Sequence, residues 1–328
     1  MKFAYLRLLK MKDTQESKPI IYLIVPCYNE EEIINLSAES LDSKLQNLIN
    51  NKSINKQSKI IFVNDGSKDN TLELLKELKN QNIIIINLSR NYGHQNALLA
   101  GLEYAIDKCD CAISLDCDLQ DDINAIDSMI ERFNNGYEVV YGVRDDRSSD
   151  SFFKRFSAER FYDLMNFLGV KIVKNHADYR ALSNRAIKSL LSFKEVNLFI
   201  RGIIPLLGYK SCAIFYKRNA RVAGKSKYPF FKMLSFAFDG ITSFSVQPLR
   251  ILSILGAIIS ITSLFFGIWA LVVYFMGGTI SGWTSMVVPM YFLGGVQIFG
   301  LGILGEYIGK IYKESKARPR YFVDSIID

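Results

Sequence analysis

Four short apolar runs, Ile20–Val25, Lys59–Asn64, Ile83–Leu88 and Cys111–Leu115, recur through the first third of the chain. Segments of helical length separate them, at approximately 30–50, 68–80 and 94–107. Runs this apolar leave no solvated face. They predict a parallel sheet covered by helices on both sides, an α/β fold. Further along, Glu138–Val143 predicts a fifth strand, about 152–168 a helix, and 177–182 an extended segment. Another helix is expected to start near Asn184, and Cys212–Lys217 to form a last strand. Residues 229–246 carry Phe230, Phe231, Phe236, Phe238 and Phe244 and lead to Pro248. That aromatic-rich stretch predicts an amphipathic helix lying in a membrane interface, within 229–249.

The pattern then changes. Residues 251–276 and 283–305 contain no charged side chain. Each run exceeds the roughly 20 residues a helix needs to cross a bilayer. The connector Gly277–Gly282 has room only for a tight hairpin. The expected organisation is a basic tail at 1–18, a globular domain at 19–228, the interfacial helix, a transmembrane hairpin at 250–309 (spans 251–276 and 283–308), and a tail at 310–328. Arg250 precedes the hairpin and Lys310, Lys313, Lys316, Arg318 and Arg320 follow it, whereas the connector has no Lys or Arg. The positive-inside rule places both termini and the globular domain in the cytoplasm of a multi-pass protein of the cytoplasmic (inner) membrane. The first 18 residues, interrupted by Arg7, lack the apolar core of a secretory signal. The five cysteines suggest no disulfide framework, consistent with a reducing compartment. The formal net charge of +7 is modest, and no nucleic-acid partner is expected.

Polar residues gather where the strands end. Asn29 and Glu30 follow the first, Asp65 the second, Arg90 and Asn91 the third, and Asp116 and Asp118 the fourth. Ligands of open α/β sheets bind beyond the carboxyl ends of strands. In Ser114-Leu115-Asp116-Cys117-Asp118-Leu119-Gln120-Asp121, an extended course would point Asp116, Asp118 and Gln120 the same way. Three oxygen-bearing side chains suit Mg²⁺ or Mn²⁺, with a phosphate completing the shell. A lone Asp-X-Asp is more often a solvated turn. Asp65 before Gly66 can accept hydrogen bonds from a base or ribose, although Ser67 and Asp69, good capping residues, could make the same stretch a helix cap. From Lys217 to Lys232 there are six Lys or Arg and no acid, next to the interfacial helix, as expected for a segment near lipid headgroups.

Val25-Pro26-Cys27-Tyr28-Asn29-Glu30, Val63-Asn64-Asp65-Gly66-Ser67 and Asp116-Cys117-Asp118, in this order, resemble family-2 glycosyltransferases with a GT-A nucleotide-sugar fold. The resemblance widens through Leu88-Ser89-Arg90-Asn91-Tyr92-Gly93-His94-Gln95, Asp178-Tyr179-Arg180, Arg221–Tyr228 and Gly305-Glu306-Tyr307-Ile308-Gly309. These look like polyprenyl-phosphate glycosyltransferases, such as bactoprenol glucosyltransferases and relatives of dolichol-phosphate mannose synthase. The resemblance covers about residues 20–322. It implies a nucleotide site lined by Pro26, Tyr28, Asn29, Glu30, Asp65 and Asp116, and a metal held by Asp116, Asp118 and Gln120. It implies catalytic roles for Asp118, Asp178 and Arg180. It also implies an acceptor-phosphate site of Arg144, Arg160, Arg221, Ser226 and Lys227. Asp178 is left with three roles: holding sugar hydroxyls, orienting Arg180, or taking a proton.

The expected reaction is inverting transfer of one sugar, from UDP-glucose or UDP-N-acetylglucosamine, to undecaprenyl phosphate in the bilayer. A hairpin of this kind can also pack between protomers of a homo-oligomer. A processive polysaccharide synthase would carry Gln-X-X-Arg-Trp, and with only Trp269 and Trp283 that motif is absent. A catalytically silent scaffold would have no use for Asp116 and Asp118.

Overall fold

The computed structural model describes residues 18–144, 176–196, 199–217, 242, 245–277 and 283–328. The expected helix at 152–168, most of the interfacial helix, and Arg160, Arg221, Ser226 and Lys227 lie outside them.

Strands β1 (Ile21–Cys27), β2 (Lys59–Asn64), β3 (Ile83–Leu88) and β4 (Cys111–Ser114) alternate with helices α1 (Ile34–Asn50), α2 (Thr71–Glu77) and α3 (His94–Ala105). After β4 come α4 (Ala125–Asn134), β5 (Val139–Arg144), β6 (His176–Ser183), α5 (Asn184–Ser192), the one-turn α6 (Ile200–Ile203), a 3₁₀ turn and β7 (Ser211–Tyr216). Two long helices, α7 (Gln247–Phe275) and α8 (Trp283–Ser315), and the strand β8 (Val323–Ile327) complete the order.

The strands form one sheet in the order β7-β5-β6-β4-β1-β2-β3-β8. β1 pairs in parallel with both β2 and β4, and β2 with β3. Side-chain alternation divides each strand between two cores. Ile21, Leu23 and Val25 of β1 join Leu41 and Leu45 of α1 and Ile126 and Met129 of α4. Tyr22 and Ile24 join Leu98 and Leu102 of α3 and Ile187 and Leu190 of α5. The doubly covered α/β sheet is therefore as expected, but it is mixed. β6 runs antiparallel between β4 and β5, and β8 antiparallel beside β3. Burial on both faces erases the periodicity that would distinguish a parallel from an antiparallel neighbour.

Segment 310–328, expected as a tail, holds the last turns of α8 and the edge strand β8. It is fastened to the globular domain. Ser89 N donates to Phe322 O at 3.0 Å, Arg320 to Phe193 O, and Tyr321 to the Glu103 carboxylate. The helix expected from residue 30 begins at Ile34, because Asn29 adopts a left-handed φ of 53° and Glu30 closes a turn first.

Windows Gln247–Phe266 and Phe292–Ser315 of α7 and α8 are long and apolar enough to cross a membrane. A core helix of a soluble protein would be buried. Here none of the first window and 6% of the second is, an apolar exposure that indicates a membrane or partner surface. The helices touch where a Cβ on Gly300 would stand 3.2 Å from Leu252 Cδ1.

Candidate active site

The strand order reverses direction between β4 and β1, and that crevice collects the polar residues. On the β1 side, two loops interlock. Asn29 N donates to Ser67 Oγ at 3.0 Å, Lys68 N to Asn29 Oδ1 at 2.9 Å, and Glu30 N to Thr71 Oγ1 at 2.9 Å. Pro26 is buried at the end of β1, with Tyr28, Asn29 and Glu30 half-buried at the mouth. These backbone bonds set the loop that carries the expected nucleotide-site residues.

Asp65 is 2% exposed. Its Oδ1 accepts from Tyr92 N at 2.7 Å and its Oδ2 from Gly93 N at 2.9 Å. Expected as a nucleoside contact, it is also bound through both oxygens to the chain's own β3–α3 loop, one amide to each. Burial raises its pKa, and the two amides and His94 pull it back. Gly66 makes this approach feasible. At φ +62°, a Cβ there would meet Arg90 C at 2.4 Å and Asn91 N at 2.7 Å. Gly66→Ala combines left-handed strain with a backbone clash and is expected to destabilise the fold by about 2–5 kcal/mol. Chemical denaturation of the full chain checks it: an unchanged midpoint would refute the packing.

Beyond β4 the chain leaves the extended course at once. Leu119 has φ 54°, and Gln120 N folds back to Asp118 Oδ1 at 3.2 Å. The expected alternation of Asp116, Asp118 and Gln120 therefore does not hold; a turn, not a strand face, presents them. Gln120 is 8% exposed, whereas Asp116 and Asp118 are half-buried. About a third of the Asp116 side chain is open to solvent, at 36%, yet the surrounding walls desolvate its carboxyl. That desolvation raises its pKa. His94 pulls it back, and Asp178, Asp121 and Asp118 push it further up.

β6 delivers the second half of the site. Its pairing sets Arg180 opposite both Ser114 and Tyr141, so Asp178 reaches the end of β4. Ser114 Oγ donates to Asp178 O at 2.5 Å. Asp178 and Arg180, two apart on a strand, face the same way and form an ion pair. Arg180 is 1% exposed, and its Nε and one terminal nitrogen have no partner among the described residues. Arg201 of α6 closes a fork on the same carboxylate, Nε to Oδ1 at 3.1 Å and a terminal nitrogen to Oδ2 at 3.0 Å. His94 Nε2 completes the group, 3.6 Å from Asp116 Oδ1 and 3.8 Å from Asp178 Oδ2. Burial alone would raise the Asp178 pKa, but Arg180 and Arg201 hold it well below the ordinary carboxylate range. A carboxylate so held is a poor proton acceptor. Of the three roles left open by sequence, orienting Arg180 fits the geometry.

Arg144 is held from two sides. Its Nε lies 3.3 Å from Tyr216 Oη and a terminal nitrogen 3.2 Å from Asp121 Oδ1, while Tyr216 Oη donates to the same oxygen at 2.6 Å. Expected at the acceptor phosphate, it also ties the end of β5 to the acidic turn.

Sequence reasoning missed Arg201 and named His94 only within a motif, with no part in the site. His94 lies in a quoted motif and opens α3 after the Asp65-bound loop, a signal available in the chain. Arg201 had none, since α6 meets β6 only in the folded sheet.

The family model described as "Glycosyl transferase family 2" matches residues 22–191. The chain is 47% identical over 312 residues to "Uncharacterized glycosyltransferase YkoT" of Bacillus subtilis, covering 94% of this chain and 93% of that one. It is 39% identical over 309 residues to "Bactoprenol glucosyl transferase" of Shigella phage SfX, covering 93% and 99%. A "Prophage bactoprenol glucosyl transferase homolog" of Escherichia coli is 38% identical over 310 residues, with 93% and 99% covered.

Proposed function

We propose that this chain, which belongs to glycosyl transferase family 2 and is a glycosyltransferase, moves a single sugar from a nucleotide-sugar to a polyprenyl phosphate. One observation carries the reading. The acidic crevice between β1 and β4 and two bare apolar helices belong to one fastened unit, joined through Arg320, Tyr321 and β8. A donor in water and an acceptor in lipid are the substrates such a unit can bring together. The names of the Shigella phage and Escherichia coli relatives support a bactoprenol acceptor.

The finer reading is undecaprenyl phosphate as acceptor, UDP-glucose or UDP-N-acetylglucosamine as donor, and inversion at the anomeric carbon. A phosphate oxygen of the acceptor forms the new bond to that carbon as the bond to the nucleoside diphosphate breaks. The acceptor monoester, with a second pKa of about 6, is largely ionised at pH 7. It therefore needs no base, in keeping with an Asp178 bound by two guanidiniums. Arg180 and Arg201 supply positive charge beside the crevice, Asn29 and Glu30 its nucleotide side. Arg144, Arg160, Arg221, Ser226 and Lys227 are the proposed acceptor-phosphate contacts.

Desolvation chiefly raises the Asp116 pKa, Asp178, Asp121 and Asp118 add to it, and carboxylates so placed beside a phosphate-binding crevice fit a divalent cation, Mg²⁺ or Mn²⁺. Among the described residues no three His, Cys, Asp or Glu side chains converge as a metal cage. Asp116 and Asp118, with Gln120, would hold the ion together with donor phosphates, as Mg²⁺ prefers. When bound, it would offset charge on the departing diphosphate. The proposed topology is multi-pass in the cytoplasmic membrane with both termini cytoplasmic, and the exposed hairpin leaves room for a homo-oligomer.

Purified protein incubated with undecaprenyl phosphate and a panel of nucleotide sugars should yield a polyprenyl-phosphate monosaccharide by mass spectrometry. No glycolipid from any donor would sink the reading. Arg221→Lys keeps the charge but loses the guanidinium fork. It is expected to raise the acceptor KM or lower kcat about tenfold, while vesicle binding stays unchanged. If it matches wild type, the basic segment is only a membrane patch.

A further inference from the structure

We propose that Glu314, in the last turn of α8, is a positioning residue: it holds the segment carrying Arg201 and thereby fixes Arg201 on Asp178. The inference rests on the glycosyltransferase reading for its consequence, though not for its geometry.

Arg201 lies on α6, a helix of four residues, Ile200–Ile203. One turn is too short to be stable by itself. The stretch between Ser192, where α5 ends, and Ile200 forms no regular element among its described residues. Ile200 and Ile203 are buried against the α3 and α5 core and seat the turn, but the chain leading into it has no helix or strand to hold it among the described residues, and the Arg201 side chain is 44% exposed. The approach to that turn is set from outside the segment. Both carboxylate oxygens of Glu314 lie 2.9 Å from Val196 N. Arg320, just past α8, donates to Phe193 O. From the other side, Gln95 Oε1 accepts from Ile200 N at 2.9 Å, one residue after His94 on α3.

Two fixed bodies thus grip the segment, α3 near its end and the α8 terminus near its start. From the turn so held, with Ile200 and Ile203 in the core, the Arg201 fork reaches Asp178 at 3.1 and 3.0 Å. Without it the carboxylate would keep Arg180 and His94 as its partners among the described residues, and the crevice would lose a positive charge. The helix that leaves the proposed bilayer is thereby linked to the geometry of the reacting centre. Such a link makes the orientation of the domain on the membrane and the readiness of the site a single property.

The full-length protein tests it in two measurements. Amide hydrogen exchange across 193–201 should quicken about tenfold or more in Glu314→Ala and stay within about twofold in Glu314→Gln, which keeps one acceptor oxygen. With UDP-glucose and undecaprenyl phosphate, Glu314→Ala and Arg201→Ala should each lower kcat about tenfold, with KM for UDP-glucose within about twofold. The double variant should be no slower than Arg201→Ala, because the two act through one contact. Unchanged exchange in Glu314→Ala overturns the proposal, as does a double variant whose losses multiply to about a hundredfold. If wild type transfers nothing from UDP-glucose, it is the donor reading that fails, and exchange alone then decides the role of Glu314.

Discussion

Asp118→Asn is expected to lower sugar transfer by about a thousandfold while the protein stays folded and membrane-bound. A cation that offsets charge on a leaving diphosphate is worth several kcal/mol, and each 1.4 kcal/mol is a decade in rate. Asparagine keeps the shape of Asp118 and its acceptor oxygen for Gln120 N, so the turn at Leu119 should persist. What it removes is one of the two carboxylates proposed to share the ion. Asp118 is half-buried rather than enclosed in a core, so little stability should go with it. The measurement is initial rate in lipid nanodiscs across a Mg²⁺ and Mn²⁺ titration, with thermal unfolding alongside. Activity near wild type, or wild-type activity that survives a chelator, would end the metal assignment.

Asp178→Ala should do more harm to the fold. Asp178 neutralises Arg180, whose side chain is 1% exposed, and it receives the fork from Arg201. Breaking a buried pair by removing one partner typically costs about 3–5 kcal/mol, because the other charge is left uncompensated. The same substitution frees α6 from β6, so activity should fall with stability. A second substitution separates the effects. Asp178→Ala with Arg180→Met removes both charges from the interior and should recover much of the lost stability without recovering activity. If the single variant unfolds at the wild-type midpoint, Arg180 is not held by Asp178 as described.

The pH dependence follows from the same group. Its folded pKa is depressed, so its stabilisation is fully present above the unfolded value of about 3.9 and is lost as pH falls through the lower folded value. Acid titration of wild type should therefore show a loss of stability below about pH 4 that the Asp178→Ala, Arg180→Met double variant lacks.

Local pattern alone carried the α/β class, because the apolar runs at Ile21–Cys27, Lys59–Asn64 and Ile83–Leu88 can be satisfied only by burial on both faces. It also carried the hairpin, since an uncharged run such as 251–276 has its physical consequence whatever surrounds it. The acidic residues after β4 were legible too, being adjacent in sequence to the strand that delivers them. Their presentation was not: Leu119 turns left-handed, and no residue type in Asp116–Gln120 demands that.

The rest depended on contacts between residues distant in the chain. Arg180 stands opposite Ser114 because β6 inserts antiparallel beside β4, 66 positions apart at that hydrogen bond. Insertion of this kind leaves the side-chain period unchanged, so it leaves no mark in the pattern. Arg201 reads in sequence as one more basic residue before an apolar turn, and only the approach of α6 to β6 gives its guanidinium a carboxylate to bind. Asp65 and Arg144 illustrate the reverse. Their residue types suit a nucleoside and a phosphate, and tertiary structure adds partners the sequence does not show, backbone amides for one and Asp121 for the other at hydrogen-bond distance. A side chain's chemistry limits which partners it accepts, whereas the fold decides which acceptable partner is near.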